Sequence, residues 1–410
     1  MGNILNIDRL TADAIDLLKE MIAIPSPSFE EETVCSHLCS WLEAKGIAHQ
    51  RKGNNIIAEH ITDPSSPTLM LCAHIDTVSP SPEYGFDPYT PDYKKVAETI
   101  SDLIGRQTDA SEIVAGLGSN DDGASVVSMI AAYRYFQHLS GDTGGVRDNP
   151  SQASLGPSPC GQGGSTVQPP TGTTGNVERP NLILVLTCEE ERSGKNGMTG
   201  LWPELESKVD LAIIGEPTGM KAATSERGLL VIDATAHGTS GHAARNEGKN
   251  ALYIALEDIN RLREHTFSRI SPRMGKVNLN VTQISAGTTH NVIPDRCDFV
   301  IDIRPTEQYT NEDILIELQN ICKSELRPRN LANRSSATVE DSPLQKTAEA
   351  LDIETFSSPT TSDWMRVSCD AIKMGPGESA RSHRKDEYVL VEELRNGIET
   401  YIEFINLIKR

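Results

Sequence analysis

Three adjacent glutamates, Glu189, Glu190 and Glu191, follow closely on the apolar run 182–186. That run is short, aliphatic and preceded by Arg179 and Pro180, so it reads as a buried parallel strand. The C-terminal end of such a strand is where an α/β fold places its chemistry. Crowded carboxylates repel one another and raise each other's pKa, and a cation among them relieves the repulsion. Taken alone, the triplet is equally a solvated turn. What distinguishes the two is whether other strand ends supply matching ligands.

Several do. The run 68–72 ends at His74-Ile75-Asp76. In an extended chain positions i and i+2 point the same way. His74 can therefore ligate a metal while Asp76 orients and polarises its imidazole. The stretch 116–124 flanks Asp121 and Asp122 with glycines at the start of a predicted helix. One of these carboxylates can bridge two cations, and helix amides stabilise nearby negative charge; an ordinary acidic cap is the plain alternative. Glu216 follows the run 211–214, and Ser382-His383 lies downstream of Gly375-Pro376-Gly377.

These residues need a scaffold. Helical periodicity covers 11–24 and 29–46, with Ser28 a candidate cap for Glu30-Glu31-Glu32. Strands are predicted at 54–59, 68–72 and 211–214, and a helix at 123–138. Alternating strands and helices imply an α/β fold, a mostly parallel sheet with helices on both faces. After about residue 227 the pattern changes. Strands at 228–236, 277–284 and 298–303 and helices at 248–264 and 311–326 fit an inserted two-layer α+β unit. The first pattern then resumes and ends in a helix over 388–409. The expected division is a catalytic domain in two parts, 1–226 and 337–410, interrupted by a lid and dimerisation domain at 227–336. The segment 140–176 is dominated by Gly, Ser, Pro, Thr and Gln and reads as a flexible surface insertion.

Composition narrows the partners. The chain has 410 residues and a formal net charge of -20, which argues against nucleic acid and anionic membrane. No apolar run approaches the roughly 20 residues that span a bilayer. The N-terminal residues lack a basic region and an apolar core, so no secretory signal is expected. Position 6 is Asn, which disfavours myristoylation. The 8 cysteines are scattered, with only Cys35 and Cys39 close, so a disulfide framework is not expected and the compartment reads as cytoplasm.

The pieces together resemble the dizinc amidohydrolase family that includes acetylornithine deacetylase, succinyl-diaminopimelate desuccinylase and carboxypeptidase G. The matching stretches begin with His74-Ile75-Asp76-Thr77-Val78, Gly118-Ser119-Asn120-Asp121-Asp122-Gly123 and Glu189-Glu190-Glu191. They continue with Gly215-Glu216-Pro217, Gly241-His242-Ala243-Ala244, Asn291-Val292-Ile293-Pro294 and Ser382-His383. They run in family order over nearly the whole chain, and Ser225-Glu226-Arg227-Gly228 and Ser379-Ala380-Arg381 are most similar to the acetylornithine or succinylornithine deacetylase branch.

The resemblance implies roles. His74, Asp121 and Glu216 would hold one zinc. Asp121, Glu191 and His383 would hold the other, with Asp121 bridging and cobalt or manganese able to substitute. Glu190 would be the general base and Asp76 would stand behind His74. The peptide bond after Asp121 would be cis. From the inserted domain of a homodimer, His242 would reach the partner subunit's site and donate to the oxyanion. Asn291 and Arg304 would grip the substrate carboxylate. The implied substrate is a small N-acyl-amino acid, N-acetylornithine or N-succinylornithine in arginine biosynthesis. A di- or tripeptidase or a carboxypeptidase is the alternative within the same chemistry, and a catalytically silent metal-binding assembly protein the remote one. The chain departs from the family at Glu189, commonly Asp, at Gly123, often Lys, and at Arg245-Asn246, often a proline-containing turn. None of these removes a ligand; they leave substrate choice open.

Overall fold

The strand Asn181–Thr187 is buried along its whole length. It is an interior strand of a nine-stranded sheet. Its aliphatic side chains alternate between two cores, as a period of two requires. Leu182, Leu184 and Leu186 face one core; Ile183 and Val185 face the other. A strand buried on both faces must be apolar at every position. That is why the run contains no polar alternation.

The computed structural model describes residues 6–140, 179–245 and 247–408. Apart from Ser140, the predicted flexible insertion 140–176 lies outside them.

Four parallel strands make the centre of the sheet: Asn181–Thr187, Thr68–His74, Leu211–Ile214 and Asp370–Lys373. Antiparallel strands close both sides, Asn55–His60 beyond Asn181–Thr187 and Ala222–Glu226 beyond Asp370–Lys373. The sheet is therefore parallel at its centre and mixed at its edges. One face carries the helices Ile7–Ile22, Glu32–Ala44, Gly123–Leu139 and Val391–Leu407. The other is covered by the short helix Met198–Leu205 and by Trp364. The fold is thus α/β with helices on both faces of the sheet.

A separate four-stranded antiparallel sheet takes the order Asn278–Ala286, Arg296–Arg304, Leu230–His237, Glu325–Pro328. Along Leu230–His237 burial alternates strictly, and the inward residues Leu230, Ile232, Ala234 and Ala236 meet the helices Ala251–Glu264 and Asn311–Ile321. This is a two-layer α+β unit within the span where one was expected.

Several expected boundaries move. The helix predicted over 311–326 ends at Ile321, and Glu325–Pro328 becomes an edge strand paired with Leu230–His237. The helix predicted from 388 starts at Val391, because Tyr388–Leu390 pairs with Ile113–Ala115. Ser336, at the predicted end of the inserted domain, pairs in the main sheet with Glu226. Ser28 does not cap the second helix. The cap position is Glu31, and the Ser28 hydroxyl donates instead to Asp76 at 2.7 Å, a stronger charge-assisted bond.

Leu184 is fully buried at the centre of this sheet. Leu184→Ala is expected to cost about 2–5 kcal/mol, read as a lower urea midpoint, and an unchanged midpoint would contradict its central place.

Candidate metal centre

Four parallel strands deliver their C-terminal ends to one place. His74 is the last residue of Thr68–His74, and the glutamate triplet follows Asn181–Thr187 after one residue. Glu216 lies two residues beyond Leu211–Ile214. Asp121 comes from the loop before the helix Gly123–Leu139, and the peptide bond joining it to Asp122 is cis. His383 lies on the segment after Asp370–Lys373.

His74 is buried. Its Nδ1 donates to the main-chain carbonyl oxygen of Asp76 at 2.9 Å, with the Asp76 carboxylate at 3.4 Å. That contact fixes the tautomer and turns Nε2 toward Asp121 Oδ1, 3.2 Å away. The other oxygen, Asp121 Oδ2, lies 3.6 Å from His383 Nε2. One carboxylate therefore presents an oxygen to each imidazole. His383 Nε2 also lies 2.9 Å from Glu191 Oε2. Ligand atoms of His74, Glu190 and Glu216 fall within 4.8 Å of one another, as do those of His74, Asp121 and Glu191. The five expected ligands and Glu190 are thus neighbours.

Asp76 does more than stand behind His74. Its carboxylate accepts from the main-chain N–H of Glu190 at 3.0 Å and of Glu191 at 3.1 Å, and from Ser28. It therefore positions the backbone of the two glutamates nearest the centre. Glu189 turns away. Its side chain accepts from Asn196, at the backbone N–H and at Nδ2, and closes its own loop. That turn needs a glycine at 194, where a Cβ would run into the Glu189 side chain.

The electrostatics are those of a crowded, water-poor pocket. Burial, together with the charges of Glu216, Asp363 and Glu191, pushes Glu190 well above the usual carboxylate range. Burial and the Asp121 charge do the same to Glu216. Burial raises Glu191 too, against the pull of His383, and takes Asp122 to about 8. Burial alone would depress His74, but hydrogen bonds to Asp121 and Asp76 outweigh it and hold the imidazole well above its ordinary value. The hydrogen bond to Glu191 lifts His383 to about 9. Raised carboxylates beside raised imidazoles mark a pocket short of positive charge, which a cation would supply. Two imidazoles with several carboxylates suit zinc and other divalent first-row ions.

The remaining predicted residues lie elsewhere. His242 and Asn291 meet in the inserted unit, where His242 pairs with Val292 and the carbonyl of Asn291 accepts from Ala243 N at 3.0 Å. His242 is exposed, and its Nδ1 accepts from Ala244 N at 3.2 Å. Arg304 grips Asp302 with two bonds of 2.9 and 3.1 Å. None of the three joins the ligand clusters of its own chain.

Sequence reasoning passed over Glu31, Asp363 and Glu387. Glu31 is fully buried and accepts from Glu189 N at 3.1 Å. Asp363 accepts from Thr187 Oγ1 at 2.7 Å, and burial lifts it to about 6. Glu387 accepts main-chain N–H groups of the loop that carries Asp121. Only Glu387 lay close to a matched motif, Ser382-His383, a sign that a solvated acid shares.

Residues 224–330 match the family model described as a peptidase dimerisation domain. The chain is 28% identical over 240 residues to the acetylornithine deacetylase of Myxococcus xanthus, covering 52% of this chain and 61% of that one. It is 21% identical over 422 residues to the succinyl-diaminopimelate desuccinylase of Wolbachia pipientis subsp. Culex pipiens, covering 96% and 92%. Among solved structures it is similar to the aminopeptidase PepT of Bacillus cereus, with a TM-score of 0.69, 16% identity and full coverage of both chains.

Two outcomes follow from this geometry. Asp76→Asn keeps one acceptor oxygen and loses the carboxylate's double grip, so metal affinity is expected to fall about 10- to 100-fold with the fold retained. Equilibrium dialysis with Zn²⁺ checks it; unchanged affinity would remove the positioning role. Metal uptake requires neutral imidazoles. Since His383 holds its proton up to about 9, binding near pH 7 should expel protons and tighten as pH rises toward that value. Calorimetry in buffers of different ionisation enthalpy measures the released protons, and affinity flat across about pH 6 to 8 would contradict the assignment.

Proposed function

Because the chain belongs to the M20 family of metal-dependent peptidases and amidohydrolases, we propose that it hydrolyses the amide bond of a small N-acyl-amino acid. The observation that carries this reading is Asp121, whose two oxygens face His74 at 3.2 Å and His383 at 3.6 Å. That disposition is what a carboxylate bridging two cations requires. In this reading His74, Asp121 and Glu216 hold one zinc, and Asp121, Glu191 and His383 hold the second, with cobalt or manganese able to replace either. The substrate we favour is N-acetylornithine or N-succinylornithine, which would place the enzyme in the cytoplasm and in arginine biosynthesis.

Bound there, the ions supply Lewis acidity to the scissile carbonyl and bring the pKa of a coordinated water toward ~7. The chain's own residues do the rest. Glu190 sits beside His74 and Glu216 in a pocket that already raises its proton affinity, which suits a general base. It takes a proton from the attacking water as the new C–O bond forms. It returns that proton to the amide nitrogen as the C–N bond breaks, and the remaining proton of the attacking water passes to the amine, so that a carboxylate and an ammonium group are released. Asp76 keeps Glu190 and Glu191 in register through their backbone N–H groups.

The inserted segment 227–336 acts in this reading as lid and dimerisation domain. Asn278–Ala286 is an edge strand with exposed residues on both faces, and Tyr253, Leu256 and Ile284 are exposed apolar side chains of the same unit. Such a surface fits a second copy of the chain. Exposed His242 would then cross to the partner subunit's site and stabilise the oxyanion. Asn291, beside it, would grip the substrate carboxylate. Arg304 joins it by exchanging its bidentate contact with Asp302 for one with the substrate.

A kinetic panel tests the proposal. N-acetyl-, N-succinyl- and N-formyl-ornithine, citrulline and diaminopimelate are assayed beside di- and tripeptides, with Zn²⁺ or Co²⁺ supplied. Turnover of an N-acyl-amino acid, abolished by chelation, is expected. Turnover of peptides alone would move the enzyme to the peptidase reading, and none at all would leave the silent assembly protein. Glu190→Gln should bind metal normally and lose about 10²- to 10⁴-fold in kcat, whereas Glu189→Gln should lose far less.

A further inference from the structure

Glu387 is 2% exposed and has no part in the ligand set. Its Oε1 accepts from the backbone N–H of Asn120 at 2.8 Å and of Asp121 at 2.9 Å, and its Oε2 accepts from Gly118 N at 3.1 Å. Its own carbonyl oxygen accepts from Gly116 N at 3.0 Å. One residue therefore takes four main-chain donors of the loop 116–121. The loop's other ties include Leu117 N donating to Pro88 O at 2.9 Å and the Asn120 side chain, which accepts from Glu378 N at 2.9 Å and donates to Glu378 O at 3.2 Å. Gly116 and Gly118 have φ of 134° and 77°, a conformation that an isolated chain samples among many others.

Glu387 stands four residues after His383, on the segment that turns through His383 and Asp386 at positive φ and then enters Tyr388–Leu390. The loop and the segment are more than 260 positions apart in the chain. Each contributes one group to the pair Asp121–His383, whose atoms are 3.6 Å apart. A buried carboxylate saturated by backbone N–H groups is a rigid connection, since breaking it would strand donors and acceptor alike away from water.

We propose that Glu387 is a positioning residue of the metal centre, a clamp that helps set the separation of Asp121 and His383 before any ion arrives. It touches neither substrate nor metal and acts through the backbone of Asp121. The proposal rests on the two-ion reading of the site.

The test uses the full-length protein and Glu387→Gln. A carboxamide preserves the shape but offers one acceptor oxygen and turns an NH₂ toward the loop donors. Competition with a chromogenic chelator should show a loss of about 10- to 100-fold in affinity for Co²⁺ at one of the two sites. The visible bands of the remaining Co²⁺ should shift in shape as the geometry relaxes. At saturating metal, kcat should recover and KM should stay within about twofold of the wild-type value, as expected of a residue that acts before metal binding. A variant that binds both ions with wild-type affinity and spectrum would overturn the clamp. If the variant does not fold, hydrogen exchange of the metal-free wild-type protein decides. The amides of Gly118, Asn120 and Asp121 should be protected without metal, and rapid exchange there would overturn the proposal. Wild-type protein that binds no Co²⁺ at all would sink the two-ion reading instead, a result separate from the exchange measurement.

Discussion

Carboxylates that meet out of water must either share protons or share a cation, and this constraint shapes the rest of the molecule. Glu190, Glu191, Glu216 and Asp121 converge on His74 and His383 at the carboxyl ends of a parallel sheet. Burial is the largest cause that raises Glu190, Glu191 and Glu216, with neighbouring carboxylates adding to it. A fold that assembles such a group without a counter-charge would lose stability for no return. The surroundings are organised to tolerate it. Asp76 remains below the usual carboxylate range although burial opposes this, because His74, Ser28 and the backbone N–H of Glu190 all favour its charged form. Lys373, itself buried beside Glu226, lowers the proton affinity of Glu216 from behind.

Two shells can be separated by what their atoms touch. The inner one points side-chain oxygens and nitrogens at a common space. The outer one consists of carboxylates that bind backbone: Asp76 holds Glu190 and Glu191, Glu31 holds Glu189, and Glu387 holds the loop of Asp121. The acids are the same residue types in both shells. What separates them is whether main-chain N–H groups have already consumed their lone pairs. A count of acidic residues near the site therefore overstates its capacity for metal.

Part of the inner shell stood out in the sequence because His74, the glutamate triplet and Glu216 sit at the ends of apolar runs, where periodicity and residue type coincide. The roles of Asp121 and His383 came instead from the resemblance of their motifs. The buried strands before His74 and the glutamate triplet were equally plain. The outer shell was opaque. Glu31 and Glu387 each stand beside other acids, in Glu30-Glu31-Glu32 and Asp386-Glu387, and accept from backbone N–H groups 158 and 266 positions away, so no local pattern singles them out. Element types survived better than boundaries. The first two residues of the strand Glu325–Pro328 were taken into a predicted helix because four residues are too few to establish a period, and its identity comes from pairing with Leu230–His237. Ser28 was misread as a cap because the competing acceptor, Asp76, is 48 residues distant.

The strand Asp370–Lys373 lies against Leu211–Ile214, with the whole inserted unit between them in the chain. His383 follows that strand, whereas the other inner residues precede the insertion. During synthesis the chain therefore emerges from the ribosome with most of its ligands long before the last one. A nascent chain can offer a three-residue cradle around His74, but not the imidazole that completes the second half. In the two-ion reading, filling of both sites would therefore follow synthesis, and the metal supply that matters would be the one the finished protein meets.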